Sequence, residues 1–286
     1  MRSAVQEKSS TLEEGMAPHI RAALDEDIGD GDVTTLSIVP ADARGKGRMI
    51  AKAAGVVAGL AVAQTAFQLV DENVCFEPLV AEGAQVKPGD LLARVSGPTR
   101  ALLTGERTAL NFLQRMSGIA TLTRRFVDAV AGTGTVILDT RKTTPGLRAF
   151  DKWAVRLGGG QNHRFGLFDM ALIKENHIVA AGGISAAVER VRAADTRGRP
   201  IEVEVTNLEE LKEALALGVD RIMLDNMGLA EMREAVAITG GSTPLEASGG
   251  ASLETAAAIA ATGVDYISVG KPTHSFESLD ISFLLE

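Results

Sequence analysis

The sequence predicts an α/β protein whose second half is a parallel β/α barrel. Three observations carry that prediction. From about residue 133, short apolar runs recur, each ending in a polar or glycine-rich patch. Alanine-rich helical segments separate many of them, and strand and helix in strict alternation mean parallel β/α units. One run, residues 201–205, sets Glu202 and Glu204 between Ile201, Val203 and Val205. A strand covered by helices on both faces of an open sheet is apolar on both, whereas a barrel strand can aim a charge into the barrel mouth.

The elements follow in chain order. Up to about residue 115 the grain is mixed: GKGRMIAKAAGVVAG and QVKPGDLLARVSG read as strand and turn, and GLAVAQTAFQLV reads as a helix. LLTGERTALNFLQRMSGIATLTRRFVDAVA reads as a long helix, with Arg107 the one candidate functional residue of this half. EGAQVKPGDLLARVSG resembles the hairpin of lipoyl and biotinyl carrier domains, but it has no modifiable lysine at a tip, so shared hairpin architecture is the reading adopted. The barrel strands are then TVILDTRK, MALIKEN, IEVEVTN, RIMLDNM, PLEASGG and YISVG. The helices between them include ISAAVERVRAAD, NLEELKEALALG, LAEMREAVAITG and SLETAAAIAATG. Six strands are visible in this pass.

Composition narrows the function. The chain has 286 residues, 45% of them apolar, enough for one large or two modest domains. A net charge of -8 argues against a nucleic-acid binder, which would show a basic face. A single cysteine, Cys75, fits a reducing compartment. Residues 1–15 contain no apolar run of signal-peptide length, and residues 54–70 are too short and too interrupted by Gln64, Thr65 and Gln68 to span a bilayer. The expectation is a soluble cytoplasmic protein with no membrane partner.

In such barrels chemistry gathers where strands end. Those ends supply Arg141 and Lys142, Lys174, Glu204, Asp225, Ser248-Gly249-Gly250 and Gly270, and the loop before Lys174 adds His163 and Arg164. Between Arg141 and Lys174 seven Lys or Arg residues face only two acids, Asp151 and Asp169, so this acidic chain concentrates positive charge at one place. That describes an anion site. Ser248-Gly249-Gly250 stands just before a helix, where backbone N–H groups and the helix dipole favour a phosphate. Glu204 and Asp225 suit ribose hydroxyls or a magnesium ion bridging phosphates. Glu202, one layer deeper, reads as structural neutralisation. Lys174 fits two chemistries, an anion contact or a Schiff-base nucleophile of an aldolase-type barrel. A non-catalytic phosphate-ligand module leaves the cationic cluster unexplained.

These motifs resemble one family. DTRKTTPGLR, GGGQNHRFGLFDMALIKENHI, EVEVTNLEE, IMLDNM, EASGG and VDYISVG, with ALDEDIGDGDVTT and GERTALNFLQRMSGIAT before them, are similar to the quinolinate phosphoribosyltransferases. These are also called carboxylating nicotinate-nucleotide pyrophosphorylases. The resemblance implies an N-terminal α/β sandwich over residues 1–115, with a tail at about 276–286 packing back on it. It implies a seven-stranded, TIM-like α/β barrel over 116–275, and a homodimer. It implies transfer of phosphoribosyl from phosphoribosyl pyrophosphate to quinolinate with decarboxylation, and magnesium as cofactor. Arg141, His163, Arg164 and Lys174 fall on the quinolinate side, and Lys142 between the substrates. Glu204 and Asp225 take the ribose hydroxyls and magnesium, directly or through water. Ser248, Gly249, Gly250 and Gly270 take the 5′-phosphate, and Arg107 reaches the neighbouring subunit's site. One departure is Lys271-Pro272 after Gly270, where the family has a small apolar pair; His274 and Ser275 resume the pattern. A relative acting on another pyridine acid, or in a molybdenum-associated pathway, is the alternative within the family.

Overall fold

The computed structural model describes the backbone of residues 4–286 and the side chains from residue 15 onward. The amino-terminal stretch read above for a leader lies outside the described residues at positions 1–3 and, for its side chains, up to position 14. The chain divides into two compact units, residues 1–124 with 143–159 and 275–286, and residues 125–142 with 160–274.

The first unit begins with α1 (Ala4–Ile28) and α2 (Val33–Ile38), then β1 (Arg44–Ala51), β2 (Gly55–Val56), α3 (Leu60–Val70), β3 (Cys75–Pro78), β4 (Gln85–Val86), β5 (Leu91–Pro98) and α4 (Thr99–Ala129). Asp32 caps α2 by accepting from the Thr35 N–H at 2.9 Å, which satisfies one of the donors a helix start leaves open. The start of α3 is held from outside: both oxygens of Glu82 accept backbone N–H groups, from Gly59 at 2.8 Å and Ala61 at 3.1 Å. On α4, Leu102, Ala109, Leu113, Met116 and Ala120 recur at helical spacing and are all at least 95% buried in the core of this unit.

The carrier-like hairpin is not formed. β4 pairs with β2, while β5 lies between β1 and β3, so the two arms belong to different sheets. The Pro88-Gly89 turn docks on β1 instead: the Gly89 N–H donates to the Ala51 carbonyl, and the Ala51 N–H donates to Asp90.

After β6 (Val136–Leu138) the chain forms α5 (Arg148–Leu157), which lies in the first unit although the sequence reading assigned residues 143–159 to the barrel. The reason is packing. Phe150, Ala154 and Val155 enter the first core, and the Phe150 ring lies 4.9 Å from that of Phe112. Asp151, fully buried, meets Arg115 at 2.8 Å and accepts the Thr144 N–H at 3.2 Å.

The second unit continues with β7 (Ala171–Ile173), α6 (Glu175–Ala181), α7 (Ile184–Ala194), β8 (Ile201–Val205), α8 (Leu208–Ala216), β9 (Arg221–Asp225), α9 (Leu229–Thr239), β10 (Leu245–Ser248), α10 (Leu253–Ala260), β11 (Tyr266–Ser268) and α11 (Lys271–His274). Its six strands form one parallel sheet in the order β6-β11-β10-β9-β8-β7. These are the six runs read from the sequence. Beside β6, Gln161 forms an isolated parallel bridge to Leu138, with backbone bonds to Ile137 and Asp139. Finally β12 (Ile281–Leu285) pairs antiparallel with β1, giving the first unit a four-stranded sheet in the order β12-β1-β5-β3. Among the described residues no helix is long and apolar enough to cross a membrane.

Candidate active site

All strands of the second unit point the same way, so their C-terminal ends share one rim. A cavity of about 610 Å³ opens there, lined by Arg141, Lys142, His163, Arg164, Lys174, Glu204, Asp225 and Ser248 to Gly250. A second cavity of about 320 Å³ shares Lys142 and Ser248 to Gly250 with it and adds Gly270, Lys271 and His274. Eleven of the twelve sequence-predicted residues therefore line these two adjoining spaces. The twelfth, Arg107, lies on α4 in the first unit.

One side of the cavity is made of cationic side chains. Arg141 leaves the end of β6, and Lys142 is fixed by its backbone, whose N–H donates to Thr140 Oγ1 at 3.0 Å and whose carbonyl accepts from Thr273 Oγ1 at 2.8 Å. Arg164 is buried, and burial first, then the nearby Arg141 guanidinium, holds it below its ordinary pKa, with Glu202 and Asp169 acting the other way. Lys174 stands at the end of β7, and its Nζ is paired with Glu204 Oε2 at 2.5 Å. A carbonyl compound seeking Lys174 as a nucleophile would have to displace that carboxylate.

The other side is backbone. Gly249 (φ +93°) and Gly250 (φ +64°) are both in the left-handed region, and a Cβ at Gly249 would collide with the Asn226 side chain. Asn226 is itself held at φ +55°, its N–H donating to the Ser248 carbonyl at 2.9 Å and its amide to Asp225 Oδ2 at 2.8 Å. A Cβ at Gly270 would lie 3.2 Å from Lys142 Cδ, so the missing side chain leaves room for the lysine stem. Ser252 then caps α10, accepting from the Thr255 N–H at 3.3 Å. Exposed Lys271 begins α11 beside this cradle.

Beneath the cavity lies a cluster that sequence reasoning did not assemble. His163 Nε2 lies 2.9 Å from Glu202 Oε2 and 3.4 Å from Glu246 Oε2, and Arg221 Nη1 reaches Glu246 Oε2 at 3.0 Å. Both glutamates are fully buried. Burial alone would lower the His163 pKa, but the two carboxylates outweigh it and raise the ring to about 9. Burial and then Glu246 lift Glu202 above its ordinary range, though contact with His163 opposes them. Burial would raise Glu246 as well, but His163, Ser268 and Arg221 hold it low. On the other edge of the imidazole the Arg164 N–H meets Nδ1 at 2.7 Å, which keeps the first ring proton on Nε2. Asp139, also buried, accepts the His163 N–H at 2.9 Å. The signal for Glu246 was present, because it interrupts the apolar run PLEAS as Glu202 interrupts IEVEV. Arg221 and Asp139 carried no such mark.

Fold and site together define an α/β protein with a cavity that joins a cationic wall to a glycine backbone cradle, with two carboxylates between. The chain belongs to the quinolinate phosphoribosyltransferase family: the model of that family's N-terminal domain matches residues 32–117 and that of its C-terminal domain residues 119–284. It is 47% identical to a probable nicotinate-nucleotide pyrophosphorylase (carboxylating) of Synechocystis, over 93% of this chain and 90% of that one. A Bacillus subtilis protein of the same description is 47% identical over 90% and 89%. Among solved structures, NadC from Streptococcus pyogenes superposes with a TM-score of 0.92 at 42% identity, covering 95% of this chain and 96% of its own. The nicotinate-nucleotide pyrophosphorylase from Francisella tularensis gives 0.92 at 40%, covering 96% and 97%.

Proposed function

We propose that this protein transfers the phosphoribosyl group of phosphoribosyl pyrophosphate to quinolinate and releases pyrophosphate and carbon dioxide, forming nicotinate mononucleotide in NAD biosynthesis. The observation that carries the reading is the joining, in one cavity, of a cationic wall to a glycine cradle across Glu204 and Asp225. Membership of the family supports it.

On this reading Arg141, His163, Arg164 and Lys174 hold the two carboxylates of quinolinate, and charge-assisted contacts aim its ring nitrogen at C1 of the ribose. The Ser248 to Gly250 backbone and Gly270 hold the 5′-phosphate. The ring-nitrogen lone pair forms the new bond to C1 as the C1–O bond to pyrophosphate breaks, and the departing oxygen keeps that electron pair. Lys142, between the two substrates, offsets negative charge on the leaving group. The nitrogen is now quaternary. The C2–carboxylate bond then breaks, its electron pair stays on C2 beside the positive nitrogen, carbon dioxide departs and C2 takes a proton.

The donor set fits magnesium carried in by phosphates. Glu204 and Asp225 are two half-buried carboxylates on adjacent strands, and each already has a protein partner, which suits an ion that keeps most of its ligands from phosphate and water. Bound there, the ion supplies charge neutralisation at the pyrophosphate. The working unit is a cytoplasmic homodimer in which Arg107 serves the partner's site. Purified protein mixed with quinolinate, phosphoribosyl pyrophosphate and magnesium should release carbon dioxide and pyrophosphate in equal amounts. Pyrophosphate without carbon dioxide, or neither, refutes the reading.

A further inference from the structure

We propose that Glu202 and Glu246 are positioning residues for the acceptor wall: with Arg221 they brace His163 across the interior of the sheet, and so set where His163 and Arg164 face the cavity. The inference rests on the reading that the acceptor lies against that wall.

The brace runs from strand to strand. Arg221 on β9 donates to Glu246 on β10, whose same oxygen lies 3.4 Å from His163 Nε2, while Glu202 on β8 approaches that nitrogen at 2.9 Å. Behind it the Arg221 guanidinium stacks 4.3 Å over the Tyr266 ring on β11. The imidazole thus faces two acids on its Nε2 edge, and in its neutral form Nδ1 accepts the Arg164 N–H at 2.7 Å. A turn of the ring would release that N–H and shift the residue that carries the buried guanidinium.

Stability alone is not a sufficient account of the arrangement, because the gain from pairing with His163 is set against the cost of burying two carboxylates. Taking two carboxylates fully out of water is costly, and apolar side chains of similar volume in a buried ionic cluster are often as stable or more so. Both Glu202 oxygens, moreover, are buried without a well-aligned hydrogen bond. The three ligand atoms lie within 4.8 Å of one another, close enough to suggest a metal, but the Arg221 guanidinium already neutralises Glu246. What the cluster supplies is direction: supporting partners of this kind fix the orientation of the group that meets the ligand.

Positioning and simple electrostatics predict opposite signs. Deleting a buried negative charge below an anion site should tighten anion binding on Coulombic grounds. Loss of the brace should weaken it, and for quinolinate alone. Titration calorimetry of each substrate against the full chain decides between them, with thermal unfolding as the check on folding. Glu202→Leu should weaken quinolinate about tenfold, the scale of one mispositioned charge-assisted contact, and leave phosphoribosyl pyrophosphate within about twofold. Glu202→Gln, which keeps the shape of the side chain and an oxygen facing Nε2, should recover most of the loss. Unchanged or tighter quinolinate binding, or parallel weakening of both ligands, overturns the proposal. Should Glu202→Leu not fold, the isosteric Glu246→Gln is judged by the same criteria. In the unaltered protein the His163 ring ¹⁵N signals should shift on adding quinolinate and stay in place with phosphoribosyl pyrophosphate; the reverse pattern also overturns it. Unaltered protein that binds no quinolinate refutes the parent reading, whereas normal binding with indifferent variants refutes this inference alone.

Discussion

The two sides of the cavity handle negative charge by opposite means. One side, on the proposed reading the acceptor wall, carries cationic side chains, three of them anchored: Glu204 on Lys174, the Thr140 and Thr273 hydroxyls on the Lys142 backbone, and the buried glutamates under His163. The other side, on the proposed reading the phosphate side, is main chain, with Gly249 and Gly250 in the left-handed region and no room for a Cβ at Gly249 or Gly270. A side-chain site can therefore be tuned in small steps and depends on residues behind it. A backbone site tolerates almost nothing at the surface and depends on little else.

The largest effect tests whether the wall is complete within one chain. Arg107→Ala and Lys174→Ala should each lose nearly all activity, on the order of a thousandfold, because each leaves ligand charge unpaired in a desolvated site. Unfolded together and refolded as an equal mixture, they should regain roughly a quarter of wild-type activity. Random assortment makes about half of the dimers mixed, and each mixed dimer has one intact site. If Arg107 serves its own barrel, every site carries one defect. No recovery in a sample shown by mass spectrometry to contain mixed dimers then ends the shared-site proposal.

Gly249→Val breaks the other side. A β-branched residue at φ +93°, with its Cβ driven into Asn226, should cost phosphoribosyl pyrophosphate roughly a hundredfold in affinity and spare quinolinate. Equal loss of both ligands would mean that the cradle is misplaced or the protein misfolded.

A pH series sharpens the contrast, because the His163 ring behind the wall titrates against two buried carboxylates. His163 is raised from an ordinary 6.5 to about 9 in the fold, so the proton it binds favours the native state. That stabilisation, about 3 kcal/mol, is full below pH 6.5 and is lost as pH rises through 9. The groups setting it are Glu202 and Glu246 at Nε2, with Arg221 behind them and the Arg164 N–H opposing at Nδ1. Unfolding of the wild type in urea between pH 6.5 and 10 should show this slope. His163→Gln should flatten it, and an unaltered slope in that variant counts against the brace.

The smallest of these effects concerns acceptor choice. Nicotinate has one carboxylate and would leave part of the wall unpaired, so its kcat/KM should fall roughly tenfold to a hundredfold below that of quinolinate. Comparable values for the two acids would remove the dicarboxylate assignment.

What could be read in the sequence follows the same division. Strand ends announce themselves where an apolar run stops at a charge or a glycine, so the rim from Arg141 round to Gly270 was legible residue by residue. The brace was only half legible: Glu202 and Glu246 stand out as acids within apolar strands, but nothing in a linear chain says that they meet over His163. Arg221 opens its strand, where a charge is unremarked, and Gln161 contributes a single bridge with no repeat to detect. The carrier-like hairpin misled because a Pro-Gly turn between two apolar arms specifies the turn and not the pairing. Residues 143–159 misled for a related reason, since α5 sits between barrel strands in sequence but buries Phe150 and Ala154 in the first core.

The pairing of β12 with β1 sets a schedule for the growing chain. The edge of β1 can be covered only after residues 281–285 leave the ribosome, about 230 residues after β1 itself. At roughly 5–20 residues per second that interval is on the order of ten to fifty seconds. Throughout it, β1 presents a strand edge with open hydrogen-bonding groups, an invitation to pair with another nascent chain. The second unit, with all its strands made by residue 268, can assemble while the first still waits, so the six-stranded sheet can be complete before the four-stranded sheet that β1 begins.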